Sequence, residues 1–148
     1  SKTVQALKND PSLPSATLAQ KITDTSEIDN PNRVKIVWNN NKEVLYISRE
    51  SIPSKKKFSN NIDLYKMVCV YAMTYDFLMK FGTMPISYLE KIESIDMLRI
   101  IENNYRLKID LVDGVLSNID IPEDQDLVID LLKKDSLFLE YQKFSKLN

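Results

Sequence analysis

Histidine is absent from this 148-residue chain, cysteine occurs once and glycine twice. Histidine titrates near neutrality and dominates general acid–base catalysis, nucleophile activation and zinc ligation, so most familiar active sites are excluded. Two glycines leave no Walker-type loop, GxGxxG or GxSxG, and no zinc-ligand spacing occurs. Cys69, the lone thiol, falls in an apolar stretch without a base to generate a thiolate, and reads as structural. A single cysteine cannot form an intrachain disulfide, and no charged start followed by an apolar core marks a secretory signal. These features point to a reducing compartment, the cytoplasm, or a host cytoplasm or virion if the source is viral. The longest apolar stretch, Ile62 to Phe81, carries Asp63, Lys66, Asp76 and Lys80, and is a poor membrane span.

What is present is ordinary for a globular chain, with 43% apolar and 28% charged residues. Lysine outnumbers arginine 16 to 4, a bias of low-GC genomes such as those of many bacteria, phages and viruses. The net charge of −1 argues against a dedicated duplex-binding protein. The charge is polarised, +4 over residues 1–61 and −5 over 62–148, which can orient an encounter with a charged partner.

The pattern predicts an α+β fold: a predominantly α-helical single domain over 33–148, an N-terminal β-hairpin over 33–48 and an extended or mobile arm over 1–32. The arm is rich in Ser, Thr, Asn, Asp and Pro, with one weak helical pattern at Thr17–Ile22 after Ser15. In the hairpin, RVKIVW and EVLYIS flank NNNK. A turn at Asn40 and Asn41 pairs Ile36 with Leu45 and Val34 with Ile47 on the core face, leaving Arg33, Lys35, Val37, Val44 and Tyr46 on the other.

A long helix is expected from Asn60 or Asn61 to Gly82. Leu64, Met67, Val68, Tyr71, Ala72, Tyr75, Leu78 and Met79 form a core stripe at i, i+3, i+4 spacing. Val70, Met73, Phe77 and Phe81 form a second stripe, too apolar to leave in water, and read as a partner interface. Pro85 opens a short helix through Ile92, and Ser94 caps the next. From Ile95 to Ile119 a helical stripe is favoured over strict alternation at Tyr105, Leu107, Ile109 and Leu111, which would make a strand before an Asp113-Gly114 turn. Pro122 starts an acidic helix, and a phase shift near Asp135 and Ser136 predicts a break before a final helix.

The acids Asp120, Glu123, Asp124 and Asp126 lack an EF-hand pattern and are explained by the helix N-terminus, so neither metal nor cofactor is expected. Lys55, Lys56 and Lys57, beside a hairpin carrying Arg33, Lys35 and Tyr46, are the one place where positive charge meets an aromatic ring, a candidate nucleic-acid contact. These observations favour a non-enzymatic interaction or assembly protein, a subunit of a larger phage or viral complex whose partners are other protein subunits in a homo- or hetero-oligomer. The alternative is a small regulator or adaptor touching nucleic acid through the hairpin and the lysine linker.

Overall fold

The computed structural model describes residues 2–57, 62–113, 122 and 124–145. The chain divides into two compact units, Ser1–Asp113 and Gly114–Asn148. The first is built on a mixed five-stranded sheet of order β3-β2-β4-β1-β5, not on a bundle of helices with a hairpin attached.

In place of an arm, the chain starts with α1 (Lys2–Asn9) and β1 (Ser15–Lys21). β1 is a central strand, antiparallel to β4 (Tyr65–Met73) and parallel to β5 (Leu107–Val112), and all but its last residue are buried. Its sequence, Ser-Ala-Thr-Leu-Ala-Gln, reads as a polar tail because central position here calls for small side chains. Ala16 and Ala19 are at most 1% exposed, and α1 packs across β1, β4 and β5.

The expected helix from residue 60 to 82 is a strand followed by a helix, β4 and then α2 (Tyr75–Thr83). Nearly every residue from Met67 to Met73 is apolar, and in such a run helical spacing is met by default. The β-branched Val68 and Val70 and the tyrosines favour the strand. The boundary is Thr74, whose backbone is extended and whose hydroxyl accepts the N–H of Phe77, capping α2. The supposed core stripe splits accordingly: Leu64, Met67 and Val68 are buried, whereas Tyr75, Leu78 and Met79 are exposed. Asn60 and Asn61 lie outside the described residues.

The two expected hairpin strands occur as β2 (Lys35–Trp38) and β3 (Val44–Ser48), in a different register. Ile36 pairs with Ile47, Val37 with Tyr46 and Trp38 with Val44 across a bulge. The loop is longer than two residues because the Asn39 side chain accepts the N–H groups of Asn41 and Glu43, and Lys42 takes the positive φ of 58°. The slip buries Val44 and turns Leu45 out, while Lys35, next to Ile36 on β2, is buried without any change of face. Trp38 packs edge-on against Tyr65, ring centroids 4.8 Å apart.

After α3 (Tyr88–Glu93) and α4 (Leu98–Glu102), the favoured long helix ends. Asn104 has φ of 60° and the chain enters β5, so the alternation at 105–111 was the stronger signal. The residues expected to follow it in a hairpin, 114–119, lie outside the described residues. The core joins Ala19, Ile36, Val44, Ile47, Met67, Leu107 and Ile109 of the sheet to Phe77 of α2 and to Ile95, Met97, Leu98 and Ile100 around α4. Burying each large side chain contributes about 1.5–3 kcal/mol.

The second unit holds α5 (Asp124–Leu132) and α6 (Ser136–Ser145). The break between them falls where the apolar phase shifts, and the Asp135 carboxylate accepts the N–H of Phe138.

Candidate active site

The registers align one residue of every strand in a row: Ser48, Lys35, Lys66, Gln20 and Val112. This row marks the carboxyl end of the parallel pair β1 and β5. In open sheets with parallel strands, ligands bind in the loops outside that end. The described segments at this end are 22–34 and 49–57.

Charge is concentrated at this end. Lys66 donates to Glu27 at 2.6 Å and Arg33 lies 3.3 Å from the same carboxylate oxygen, all three side chains being less than a fifth exposed. Lys35 is wholly buried and donates its ammonium to the carbonyls of Asn30 and Arg49, tying the loop before β2 to the loop after β3. Burial lowers its pKa, an effect that the charges of Glu50, Asp29 and Glu93 oppose.

A second tie runs through Glu93, at the end of α3. Its carboxylate accepts from the Ser48 hydroxyl (2.7 Å), the Arg49 N–H (2.9 Å) and the Tyr46 hydroxyl (3.2 Å). Burial pushes the Glu93 pKa up, but these donors and the Arg49 charge outweigh it and hold the carboxyl below its ordinary value. The Arg49 guanidinium donates to the carbonyls of Glu93 (2.6 Å), Pro31 (2.9 Å) and Ser94 (3.0 Å), satisfying the carboxyl end of α3 and gripping the 22–34 loop. In the loop that follows, the Ser51 hydroxyl is buried with no hydrogen-bond partner among the described residues. The result is a preorganised polar end with its backbone fixed on three sides, suited to an anionic ligand.

Against this geometry, comparison with known proteins is decisive. The family described as cytidylyltransferase matches residues 1–111. The chain belongs to the cytidylyltransferase family. It is 34% identical over 134 residues to the 3-deoxy-manno-octulosonate cytidylyltransferase of Fusobacterium nucleatum, covering 90% of this chain and 54% of the relative. It is 36% identical over 109 residues to the 8-amino-3,8-dideoxy-manno-octulosonate cytidylyltransferase of Shewanella pealeana, covering 74% and 44%. A solved CMP:2-keto-3-deoxy-manno-octonic acid synthetase complexed with CTP superposes with a TM-score of 0.81 at 29% identity, over 90% of this chain and 54% of that one. The chain thus spans about half the length of the curated relatives it matches.

Membership of this enzyme family overturns the expectation of a non-enzymatic assembly protein or virion component, and with it the nucleic-acid adaptor. The absence of histidine excluded chemistries that need a base of pKa near 7. Nucleotidyl transfer depends chiefly on positioning and charge stabilisation, which arginine, lysine and carboxylates provide.

The structure brings part of the candidate nucleic-acid set together and separates the rest. Arg33 and Lys35 share the polar end, but Lys35 is inaccessible; Tyr46 is engaged by Glu93; Lys55, Lys56 and Lys57 are exposed in the following loop. Of the candidate interface stripe, Phe77 belongs to this chain's own core, its ring 5.0 Å from Tyr105 and 6.5 Å from Phe81. Met73 and Phe81 pack against that core, and Val70 is 43% exposed. A helix would have aligned the four; the strand and helix disperse them.

Of the acidic group, Asp120 and Glu123 lie outside the described residues, and Asp124 and Asp126 are on α5. No helix among the described residues is long and apolar enough to cross a membrane. Sequence reasoning passed over Glu27, Arg49 and Glu93. One local signal was present, Ser87-x-x-Glu90, in which Glu90 accepts the Ser87 N–H (3.1 Å) and is forked by Arg99. It fixes the start of α3 and so the position of Glu93 one turn later.

Proposed function

We propose that this chain takes part in cytidylyl transfer from CTP to a sugar acid of the 3-deoxy-manno-octulosonate class. The observation that carries the reading is the 0.81 TM-score over 90% of the chain to a synthetase complexed with CTP, joined by relatives named for octulosonate substrates. In the reaction a sugar hydroxyl oxygen attacks the α-phosphorus of CTP. The new P–O bond forms as the bond to pyrophosphate breaks, and the hydroxyl proton is lost. Both reactants are anions, a carboxylate and a triphosphate. The cations Arg33 and Lys66 at the carboxyl end of the parallel pair supply complementary charge. Lys35, Arg49 and Glu93 are positioning residues: their polar groups are spent on holding the two loops that would enclose the sugar acid. A nucleoside triphosphate substrate and an exposed thiol at Cys69 that is in no disulfide fit a cytoplasmic setting.

The test is pyrophosphate release from CTP, measured for the chain alone and for the chain supplied with the remaining half of a relative, with and without 3-deoxy-manno-octulosonate or its 8-amino congener. The reading expects release that depends on one of these sugar acids, with the CMP-sugar as product. Release independent of the sugar acid, or none in either preparation, contradicts it.

A further inference from the structure

Glu27 closes a single turn of 3-10 helix, Thr25–Glu27, in the loop before β2. The turn is pinned at its start by Asp24, whose carboxylate accepts the Ser26 N–H (2.9 Å) and whose carbonyl accepts the Glu27 N–H (3.1 Å). The Glu27 carboxylate is thereby delivered to one place. There a single oxygen, Oε1, meets both the Lys66 ammonium (2.6 Å) and Nε of Arg33 (3.3 Å), with each side chain less than a fifth exposed.

Lys66 needs negative charge at this spot. Its direct cross-strand partner is Lys35, so two ammonium groups start from opposite positions on one face of the sheet. Lys35 donates to the carbonyls of Asn30 and Arg49, which carry no charge to offset it. Arg33 adds a third cation two residues before Lys35. Like charges directly opposite each other destabilise a sheet, and a shielded cation is costly unless paired. The carboxylate that touches both Lys66 and Arg33 comes from the chain itself.

The substrate proposed above brings a carboxylate of its own to the same two cations. Two carboxylates cannot crowd onto them without repelling each other. Glu27 must give way, and the exchange is like for like, because the incoming group restores the charge that Glu27 withdraws. We infer that Glu27 is a place-holder for the substrate carboxylate and sets which anions the site admits: it occupies Lys66 and Arg33 until a ligand carboxylate takes over both. The identity of that ligand rests on the proposed function; the place-holding rests on the shared oxygen and the opposed lysines. Having to displace Glu27 lowers the apparent affinity of every anion by the same factor. A sugar acid adds hydroxyl contacts and keeps a measurable affinity, whereas a bare anion does not. Selectivity then comes from a competitor built into the loop.

The experiment is a calorimetric titration of the unsubstituted chain and of Glu27→Gln, which keeps the size of the side chain and removes its charge, with 3-deoxy-manno-octulosonate and with inorganic phosphate. Glu27→Gln is expected to bind the sugar acid at least about tenfold more tightly than the unsubstituted chain does. It should also bind phosphate at millimolar concentration, where the unsubstituted chain does not. A Glu27 that only braces the two cations gives the opposite result, weaker sugar-acid binding and no gain of phosphate, and that would overturn the inference, as would equal affinities in the two chains. If the sugar acid binds neither chain, the substrate assignment fails and phosphate decides: a gain confined to Glu27→Gln upholds the place-holder, and no gain overturns it. If Glu27→Gln does not fold, the carboxyl carbon of Glu27 is followed by NMR in the unsubstituted chain as each ligand is added to excess. It is expected to move toward the shift of the exposed Glu50. A Glu27 signal that stays in place with both ligands overturns the inference.

Discussion

The two ends of the sheet carry ionic networks of similar composition and different physical standing. At the carboxyl end of the parallel pair, Glu27, Arg33 and Lys66 are 14–19% exposed, Lys35 is fully buried, and Glu93 is closed in by three donors. At the opposite end, Arg106 lies 3.5 Å from Asp10 and 3.3 Å from Glu43 but is 40% exposed, as is Asp10 at 42%. Shielded groups are worth more because water competes less for them, whereas exposed pairs contribute little. One end is built to hold loops in fixed positions, and the other only trims a surface.

The first way to break this comparison is at Lys35. Lys35→Met removes the side chain that joins the Asn30 and Arg49 carbonyls and takes the ammonium donor from both part-buried acceptors, at a cost of about 2–4 kcal/mol in urea denaturation. A loss below 1 kcal/mol would mean that the two loops hold themselves. Glu93→Ala comes next, about 2–3 kcal/mol, because it orphans the donors of Tyr46, Ser48 and Arg49 together.

Glu93 also sharpens the comparison through pH. Its folded pKa is depressed, so its contribution is fully present above the unfolded carboxyl value of about 4.3 and is lost as pH falls through the folded value. Acid titration of the unsubstituted chain should show that loss, and Glu93→Gln should flatten the profile below about pH 4.3. An unchanged acid limb would remove Glu93 from the account. The smallest effect is expected at the opposite end, where Arg106→Ala should cost no more than about 0.5–1 kcal/mol. A cost equal to that of Glu93→Ala would erase the distinction between the ends.

How much of this was legible in the sequence follows from the same contrast. The hairpin strands, the break at Asp135, the exposure of the loop lysines and the alternation at 105–111 are local patterns, carried by residues close in the chain. β1 was not legible because a strand buried on both faces and crowded by α1 has no need of large apolar residues; Ala16, Thr17 and Ala19 read as linker. β4 was misread because its residues satisfy helical and strand spacing alike. The candidate site joins Lys35 to Arg49 across 14 residues of sequence and Arg49 to Glu93 across 44, a proximity that exists only once β3 and α3 have met.

The opposite side of the sheet also has a hollow, of about 290 Å³, between α1, β5 and the turn at Lys42, lined by Lys2, Asp10, Lys108 and Asp110 among others. It provides the competing location for an anionic ligand. The most direct test of where the site lies is therefore a titration of the isotopically labelled chain with 3-deoxy-manno-octulosonate, read residue by residue from backbone amide shifts. The account predicts shifts concentrated at Glu27, Arg33, Arg49, Ser51 and Lys66, with Lys2, Asp10, Lys42 and Lys108 unmoved; the reverse distribution would contradict it.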